Sequence, residues 1–365
     1  MKQKLLGKNL NELKEAAVAC GLKAFVGRQI ADWLYAKRAT SWGRMVNISK
    51  DSRARLQEMY DLGTSAPIGS ALSSDGTAKY LFSVGPKAQD RVGDHPAIPL
   101  EGVQGVAEER NDERFIESVV IPDADRVTLC VSSQAGCKMG CKFCMTGRQG
   151  WHGNLDAADI LNQFLSIPEP EKLTNAVFMG MGEPLDNYPA VSKAIEILTS
   201  EDGFGWSPKR ITLSTIGVLP ALRKYLDEQR CHLAVSLHNP FPDERLELMP
   251  VQKAWPLKDV VELIRQYDFS GQRRVSFEYT MFAGWNDSKR HADALIRLLG
   301  GLECRVNLIR FHEIPDFPYR CATDVSMEEF RNRLNNHGIT CTIRASRGED
   351  ILAACGMLAG QHSQQ

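Results

Sequence analysis

The chain has 365 residues, 43% hydrophobic and 24% charged, with a formal net charge of -1. That length exceeds one typical domain, so one large domain with a smaller appendage is expected, and so balanced a charge points to no partner by itself. No apolar run is long enough to cross a membrane. The opening Met1-Lys-Gln-Lys-Leu-Leu-Gly-Lys lacks the apolar stretch and cleavage site of a signal peptide, so a cytoplasmic protein is expected.

Residues 9 to 38 read as helices. Asn9 or Asn11 can cap the first, Gly21 follows its last turn, and Val26, Ile30, Trp33 and Leu34 form one apolar face of the next. A further helix is expected over 51 to 61 with Asp51 as its N-cap. Residues 1 to 66 thus form a helical accessory domain carrying twelve Lys and Arg against six Asp and Glu. Such an excess suits a polyanion-binding module, with Arg28, Lys37, Arg38, Arg44, Arg53 and Arg55 available for phosphate; a solvated helix surface would look the same.

From 67 to 120 short β-type runs take over, at Lys79 to Val84 and Phe115 to Ile121, around an acidic loop insertion at 85 to 113 rich in Gly and Pro. From 121 to 365 strands alternate with helices. Strands are expected at 127 to 132, 175 to 179, 210 to 214, 232 to 237, 274 to 280, 305 to 310 and 341 to 344. Helices are expected at 156 to 166, 187 to 200, 218 to 228, 257 to 268, 287 to 299, 326 to 337 and 349 to 358. This alternation predicts an α/β fold: a parallel sheet with crossover helices, open or rolled into a full or partial barrel, with its site at the C-terminal ends of the strands.

Directly after the first of those strands comes Cys137-Lys-Met-Gly-Cys141-Lys-Phe-Cys144, with Cys130 seven residues upstream. Three thiolates on one tight loop can each hold one iron of a 4Fe-4S cubane and leave the fourth iron open for chemistry. A zinc loop is the other metal reading, but zinc takes four ligands, commonly as two pairs, and no second pair lies nearby. Inert buried thiols suit Cys231, Cys304 and Cys341, which stand singly at the starts of apolar runs. Gly180-Met-Gly-Glu-Pro184 follows the second strand. Its glycines expose backbone groups, and Glu183 can accept a hydrogen bond from a cationic amino group.

These segments resemble the radical S-adenosylmethionine (SAM) enzymes and, more narrowly, the RlmN/Cfr family of RNA adenosine methyltransferases. The resemblance is carried by Asp125-Arg-Val-Thr-Leu-Cys130, the cysteine loop with Met145-Thr-Gly-Arg-Gln-Gly, Met179-Gly-Met-Gly-Glu-Pro-Leu185 and Leu213-Ser-Thr-Ile-Gly. Val235-Ser-Leu-His238, Val306-Asn-Leu-Ile309 and Arg347-Gly-Glu-Asp-Ile-Leu-Ala-Ala-Cys355-Gly continue it, and the helical N-terminus is similar to the family's accessory domain. It implies a partial (β/α) barrel of the radical SAM type. Cys137, Cys141 and Cys144 would be the metal ligands of one 4Fe-4S cluster, and Gly182, Glu183, Ser214, Ser236, Leu237 and His238 would contact SAM. Where the family usually has Asn-Leu-Ile-Pro-x-Asn-Pro, this chain has Asn307-Leu-Ile-Arg-Phe-His312, so His312 would take the asparagine's place at SAM.

The same resemblance implies a two-cysteine cycle using two SAM molecules per turnover. Cys355 would be methylated and then carry the carbon to adenosine C2 as a radical; Glu117 would accept a proton, and Cys130 would resolve the adduct into a Cys130–Cys355 disulfide. The implied partners are 23S ribosomal RNA and tRNA beside the anticodon, with a reduced flavodoxin or ferredoxin-type electron donor and a monomeric enzyme. Extruded adenosines in loops are the natural substrates, because a base must leave its stack to reach a buried radical. The competing readings are Cfr-like methylation of C8 and, from another class, a non-catalytic zinc-containing RNA-binding protein.

Overall fold

The computed structural model describes residues 2–85, 114–269, 271 and 273–360; the insertion expected at 85 to 113 lies, apart from Gly85, outside them. The N-terminal unit consists of β1 (Gln3–Lys4), α1 (Leu10–Ala19), α2 (Phe25–Ala31), α3 (Lys50–Met59) and β2 (Tyr60–Asp61). Asn9 and Glu12 form a reciprocal capping box at α1, Gly21 leaves that helix at φ 72°, and α2 runs on into a π-helical turn, Asp32–Ala36. Leu13, Val26, Ile30 and Leu34 are buried between these helices, and the pairing of β1 with β2 closes the unit. Ser49, not Asp51, caps α3, its hydroxyl accepting from the Ser52 amide at 3.1 Å. Asp51 instead lies in the first turn, where a carboxylate suits the helix dipole.

An antiparallel ribbon follows: β3 (Gly69–Leu72), β4 (Ala78–Ser83) and β5 (Phe115–Asp123). The catalytic half then runs β6 (Arg126–Cys130), β7 (Gln134–Gly136), α4 (Met145–Arg148), β8 (Trp151–Asn154), α5 (Ala157–Leu165), β9 (Asn175–Phe178), α6 (Tyr188–Thr199), β10 (Ile211–Thr215) and α7 (Leu219–Glu228). It continues with β11 (His232–Ser236), α8 (Pro242–Leu248), α9 (Leu257–Ile264), β12 (Val275–Met281), α10 (Lys289–Leu299), β13 (Arg305–Arg310), α11 (Asp324–Asn336) and β14 (Thr340–Ile343). All seven expected parallel strands form. The helix expected at 349 to 358 does not: one 3-10 turn, Glu349–Ile351, is followed by Leu352 at φ 54° and Gly356 at φ 86°, neither of which a helix accommodates.

One sheet holds ten strands in the order β14-β13-β12-β11-β10-β9-β6-β5-β4-β3. From β14 to β6 every pairing is parallel, and β5, β4 and β3 extend it antiparallel, so the expected linker region hydrogen-bonds into the catalytic sheet. β14 and β3 are both edges, which makes the barrel partial. Because helices cover its outside, the parallel strands are buried on both faces; β12 exposes none of its residues to solvent. Helix faces such as Ile160, Leu161 and Phe164 of α5 and Val260, Val261 and Ile264 of α9 are almost wholly buried, each such side chain contributing about 2 kcal/mol. The interior is where the polar groups collect.

Candidate active site

The cysteine loop leaves the top of the sheet between β7 and α4. It is fastened by the Cys137 amide to the Gly150 carbonyl at 2.8 Å, by the Cys144 amide to the Cys141 carbonyl at 3.1 Å and by the Lys142 amide to the Leu248 carbonyl at 3.0 Å. Cys137, Cys141 and Cys144 all line the cavity inside the barrel mouth. Burial raises all three thiols, Cys141 to about 12; the neighbouring cysteines reinforce this at Cys137 and Cys141, and Cys355 does so at Cys144. Thiols so placed stay protonated until a cation draws off their protons, which is the condition of an iron-binding set. Among the described residues no three His, Cys, Asp or Glu side chains are close enough to grip a single ion. A cubane asks each thiolate to meet a separate iron, and these three residues fit that demand.

Behind the loop lies Arg245, 1% exposed, which sequence reasoning missed. Its guanidinium donates to the carbonyls of Leu237 (3.0 Å) and Ser236 (3.0 Å) and to Gln252 Oε1 (2.6 Å). Burial lowers it to about 10, against the attraction of Cys141. The charge thus serves two purposes: it pins the end of β11 and it stands within electrostatic reach of Cys141. Within the charged run of α8, nothing in the sequence sets this arginine apart.

The cavity wall is built from strand ends. Gly182 turns at φ 97°, and a Cβ there would stand 2.5 Å from the Gln134 Cβ, so only glycine fits. Glu183, 4% exposed, accepts from Thr215 Oγ1 (2.6 Å) and the amides of Leu185 (3.0 Å) and Ile216 (2.9 Å). Burial nevertheless raises its carboxyl to about 7, those donors offsetting only part of the cost. A cationic group entering the cavity would tip it towards the ionised form.

Ser214 and Ser236 line the cavity, as does His238, held at φ 55°. The His238 Nδ1 accepts from the Thr280 amide at 3.0 Å, so the neutral ring carries its hydrogen on Nε2; burial and then Arg245 lower its pKa to about 3, keeping it neutral. Glu278, also unremarked in the sequence, is 3% exposed on the cavity floor. Its Oε1 accepts from Ser276 and Asn307, while buried Oε2 has no hydrogen-bond partner among the described residues and stands 3.6 Å from Arg344 Nη1.

Two expected SAM contacts stand elsewhere. Leu237 is fully buried and does not line the cavity; its backbone is tied to Arg245 and to the Glu278 carbonyl. His312 is also outside the lining. It faces Ser346 Oγ (Nε2, 3.1 Å) and Glu349 Oε1 (Nδ1, 3.3 Å) on the C-terminal segment.

Cys355 is exposed in the cavity mouth, between buried Ala353 and Ala354 and a glycine. Cys130 ends β6, buried and within electrostatic reach of Cys355; burial pushes its thiol to about 12, with Arg344 acting in the opposite sense. Because Val119 pairs with Cys130, Glu117 two residues away on β5 shares that face. Far from facing solvent, Glu117 is 4% exposed. Oε1 meets Lys79 Nζ at 2.9 Å, and Oε2 accepts from the amides of Ala359 (2.7 Å) and Gly360 (3.0 Å).

Of the six basic residues expected to meet phosphate, Arg28 pairs with Asp202, Lys37 with Asp32 and Arg55 with Asp51, while Arg53 and Arg44 donate to backbone carbonyls. Arg38 is half-buried against Phe204. No described helix is long and apolar enough to cross a membrane.

A partial parallel barrel with three cysteines on the loop after its first strand defines a radical SAM enzyme. Residues 131–295 match the radical SAM superfamily, and residues 3–62 match the ribosomal RNA large subunit methyltransferase N-terminal domain. The chain is 55% identical to the probable dual-specificity RNA methyltransferase RlmN of Porphyromonas gingivalis, over 97% of this chain and 96% of that one. It is 39% identical to the dual-specificity RNA methyltransferase RlmN of Syntrophus aciditrophicus, over 97% and 95%. A crystal structure of a radical SAM methyltransferase from Sphaerobacter thermophilus superposes with a TM-score of 0.87 at 35% identity, over 98% of this chain and all of that one. The chain therefore belongs to the RlmN family of radical SAM RNA methyltransferases.

Proposed function

We propose that this enzyme methylates C2 of adenosine in 23S ribosomal RNA and in tRNA through the Cys355 and Cys130 thiols. The observation that carries the reading is convergence: the C-terminal segment delivers Cys355 into the same cavity as Cys137, Cys141 and Cys144, and Cys130 and Glu117 stand on the strands beside it. Curated relatives named dual-specificity RNA methyltransferases support the RNA-methylating part of that reading.

Cys137, Cys141 and Cys144 would hold the cluster, and Gly182, Glu183, Ser214, Ser236 and His238 would bind SAM. When bound, a 4Fe-4S cluster with one open iron supplies a chelation point for SAM and the electron that yields a 5'-deoxyadenosyl radical, and it can take an electron back. Everything else is asked of the chain. The Cys355 thiolate attacks the methyl carbon of a first SAM, forming a sulfur–carbon bond and releasing S-adenosylhomocysteine. That methyl group gives a hydrogen atom to the radical from a second SAM and adds through its carbon to C2. The adduct loses one electron and its C2 proton, which Glu117 accepts. The Cys130 thiolate then attacks the Cys355 sulfur. The sulfur–carbon bond breaks, its electron pair and a proton complete the methyl group, and a Cys130–Cys355 disulfide remains to be reduced.

Mass spectrometry of RNA digested after anaerobic turnover tests the regiochemistry: 2-methyladenosine is expected, and 8-methyladenosine without it overturns the assignment. Cys130→Ala should accumulate a covalent protein–RNA adduct and Cys355→Ala none. A catalytically active Cys355→Ala enzyme would end the two-cysteine account. About four irons per chain are expected on metal analysis, where one zinc would refute the cluster.

A further inference from the structure

His312, expected at SAM, does not line the cavity, and both of its ring nitrogens are met by the C-terminal segment. With its ring 7% exposed, it meets Ser346 at 3.1 Å and Glu349 at 3.3 Å, both on the segment that leads from β14 to Cys355. The same segment is also gripped by a second element, the turn between β3 and β4. There Asp75 Oδ2 accepts from the Gly348 amide at 3.0 Å, while Asp350 accepts from Ser73 Oγ at 2.5 Å and the Ser74 amide at 3.1 Å. Two carboxylates thus cross reciprocally, one from each partner. Gly348 lies at φ 63°, and a Cβ there would come within 2.9 Å of both Ala353 and Thr77, so the segment cannot dock this closely with another residue. Beyond the grip the chain has only Ile351 to Ala354 before Cys355, and Ala353 bonds back to the Gly348 carbonyl at 2.8 Å. Moving 346–350 therefore moves the thiol.

We propose that His312 and Asp75 are positioning residues for Cys355, a two-part clamp that sets the thiol in the cavity mouth, and that His312 is not a SAM contact. The inference rests on reading Cys355 as the methyl carrier. It also assigns work to the β3–β4 ribbon, which stands outside the parallel barrel: its turn is half of the clamp.

The test uses cluster-loaded full-length enzyme with His312→Ala, Asp75→Asn and the milder Ser346→Ala, which removes one loop hydroxyl and covers the case in which a clamp variant fails to fold. Three readouts are taken: equilibrium SAM binding, the rate at which the Cys355 peptide gains a methyl group at saturating SAM, and hydrogen exchange across 346–356. SAM affinity within twofold of wild type, methylation slowed by about tenfold or more, and faster exchange are expected, since small misplacements of a reacting group cost that much. A purely structural defect would lower both binding and methylation. His312→Ala that weakens SAM binding tenfold yet methylates Cys355 normally at saturation overturns the proposal in favour of cofactor contact, and normal methylation in all three variants overturns the clamp. Absence of the methyl group on wild-type Cys355 sinks the parent reading and this one with it; failure confined to the variants separates the two.

Discussion

Arg245→Met asks whether the buried guanidinium organises the site. The substitution keeps much of the apolar volume but removes the donors to the Ser236 and Leu237 carbonyls and to Gln252. Gln252 Oε1 still accepts from the Leu257 amide at 3.1 Å and the Leu237 carbonyl from the Asn239 amide at 2.7 Å, so the Ser236 carbonyl bears most of the loss. At about 1 to 3 kcal/mol for an acceptor left unpaired, and with relief from no longer burying a charge, a net destabilisation of about 1 to 2 kcal/mol is expected. Urea titration under anaerobic conditions measures it through the shift of the midpoint. Because Ser236 and His238 flank the released carbonyls, SAM affinity should fall as well. Arg245→Lys cannot make three directed bonds and should recover only part of the loss. No measurable destabilisation with SAM binding intact would refute the reasoning, since the Ser236 carbonyl would then have found another partner.

Other consequences can be measured in the same way. Gly182→Ala must hold φ 97° against the Gln134 side chain, and SAM affinity measured at equilibrium should drop by more than about tenfold with little change in the rest of the fold. Lys79→Met strips the buried Glu117 of its cation while the Ala359 and Gly360 amides remain, so a loss of about 3 kcal/mol is expected in urea unfolding, recovered in large part by adding Glu117→Gln. The Asp75 and Asp350 carboxyls both lie below their ordinary value. For Asp75, hydrogen bonds from Thr77 and Gly348 outweigh desolvation; for Asp350 the leading cause is Ser73, then Ser74. Depressed carboxylates stabilise the fold above the unfolded value of 3.8 and lose that contribution as pH falls through their folded values. The stability advantage of wild type over Asp350→Asn should therefore be constant from pH 5 to 7, in round figures, and vanish in stronger acid, as urea midpoints at each pH would record.

Much of the active site is legible in the chain because its chemistry is local. Cys137, Cys141 and Cys144 sit within eight residues, and a single turn suffices to gather them. Glycine at 182 is demanded by its own φ. The parallel strands are short apolar runs between helical periods, so both faces are covered and the alternation is plain. Of the two caps expected for the first helix, Asn9 and Asn11, the structure uses Asn9, whose partner Glu12 is three residues away. Where the reading slipped, the deciding partner was remote or the rule was indifferent by a residue or two: Ser49 and Asp51 are both good caps, and only the backbone at Ser49 is extended.

The helix expected over 349 to 358 failed for a related reason. Its composition tolerates a helix, but its carbonyls are taken by remote donors, Leu352 by Lys79 Nζ and Gly356 by the Met145 amide, while Asp75 and Glu117 hold the flanking Gly348 and Ala359 amides. Arg245, Glu278 and the role of Lys79 were invisible because nothing local distinguishes a buried charge from a solvated one; its partners arrive from other strands.

The sequence by itself determined the alternation of strands with helices and the gathering of Cys137, Cys141 and Cys144 on one loop, since both depend on spacing or on periodicity along the chain; Cys130 and Cys355 stood out only through the family resemblance. Tertiary structure alone decided which way His312 and Leu237 face, that the β3–β5 ribbon joins the catalytic sheet, and that Cys355 arrives beside the cysteine loop. Those facts depend on contacts across as many as 277 residues, between Ser73 and Asp350, and no local pattern carries such a distance.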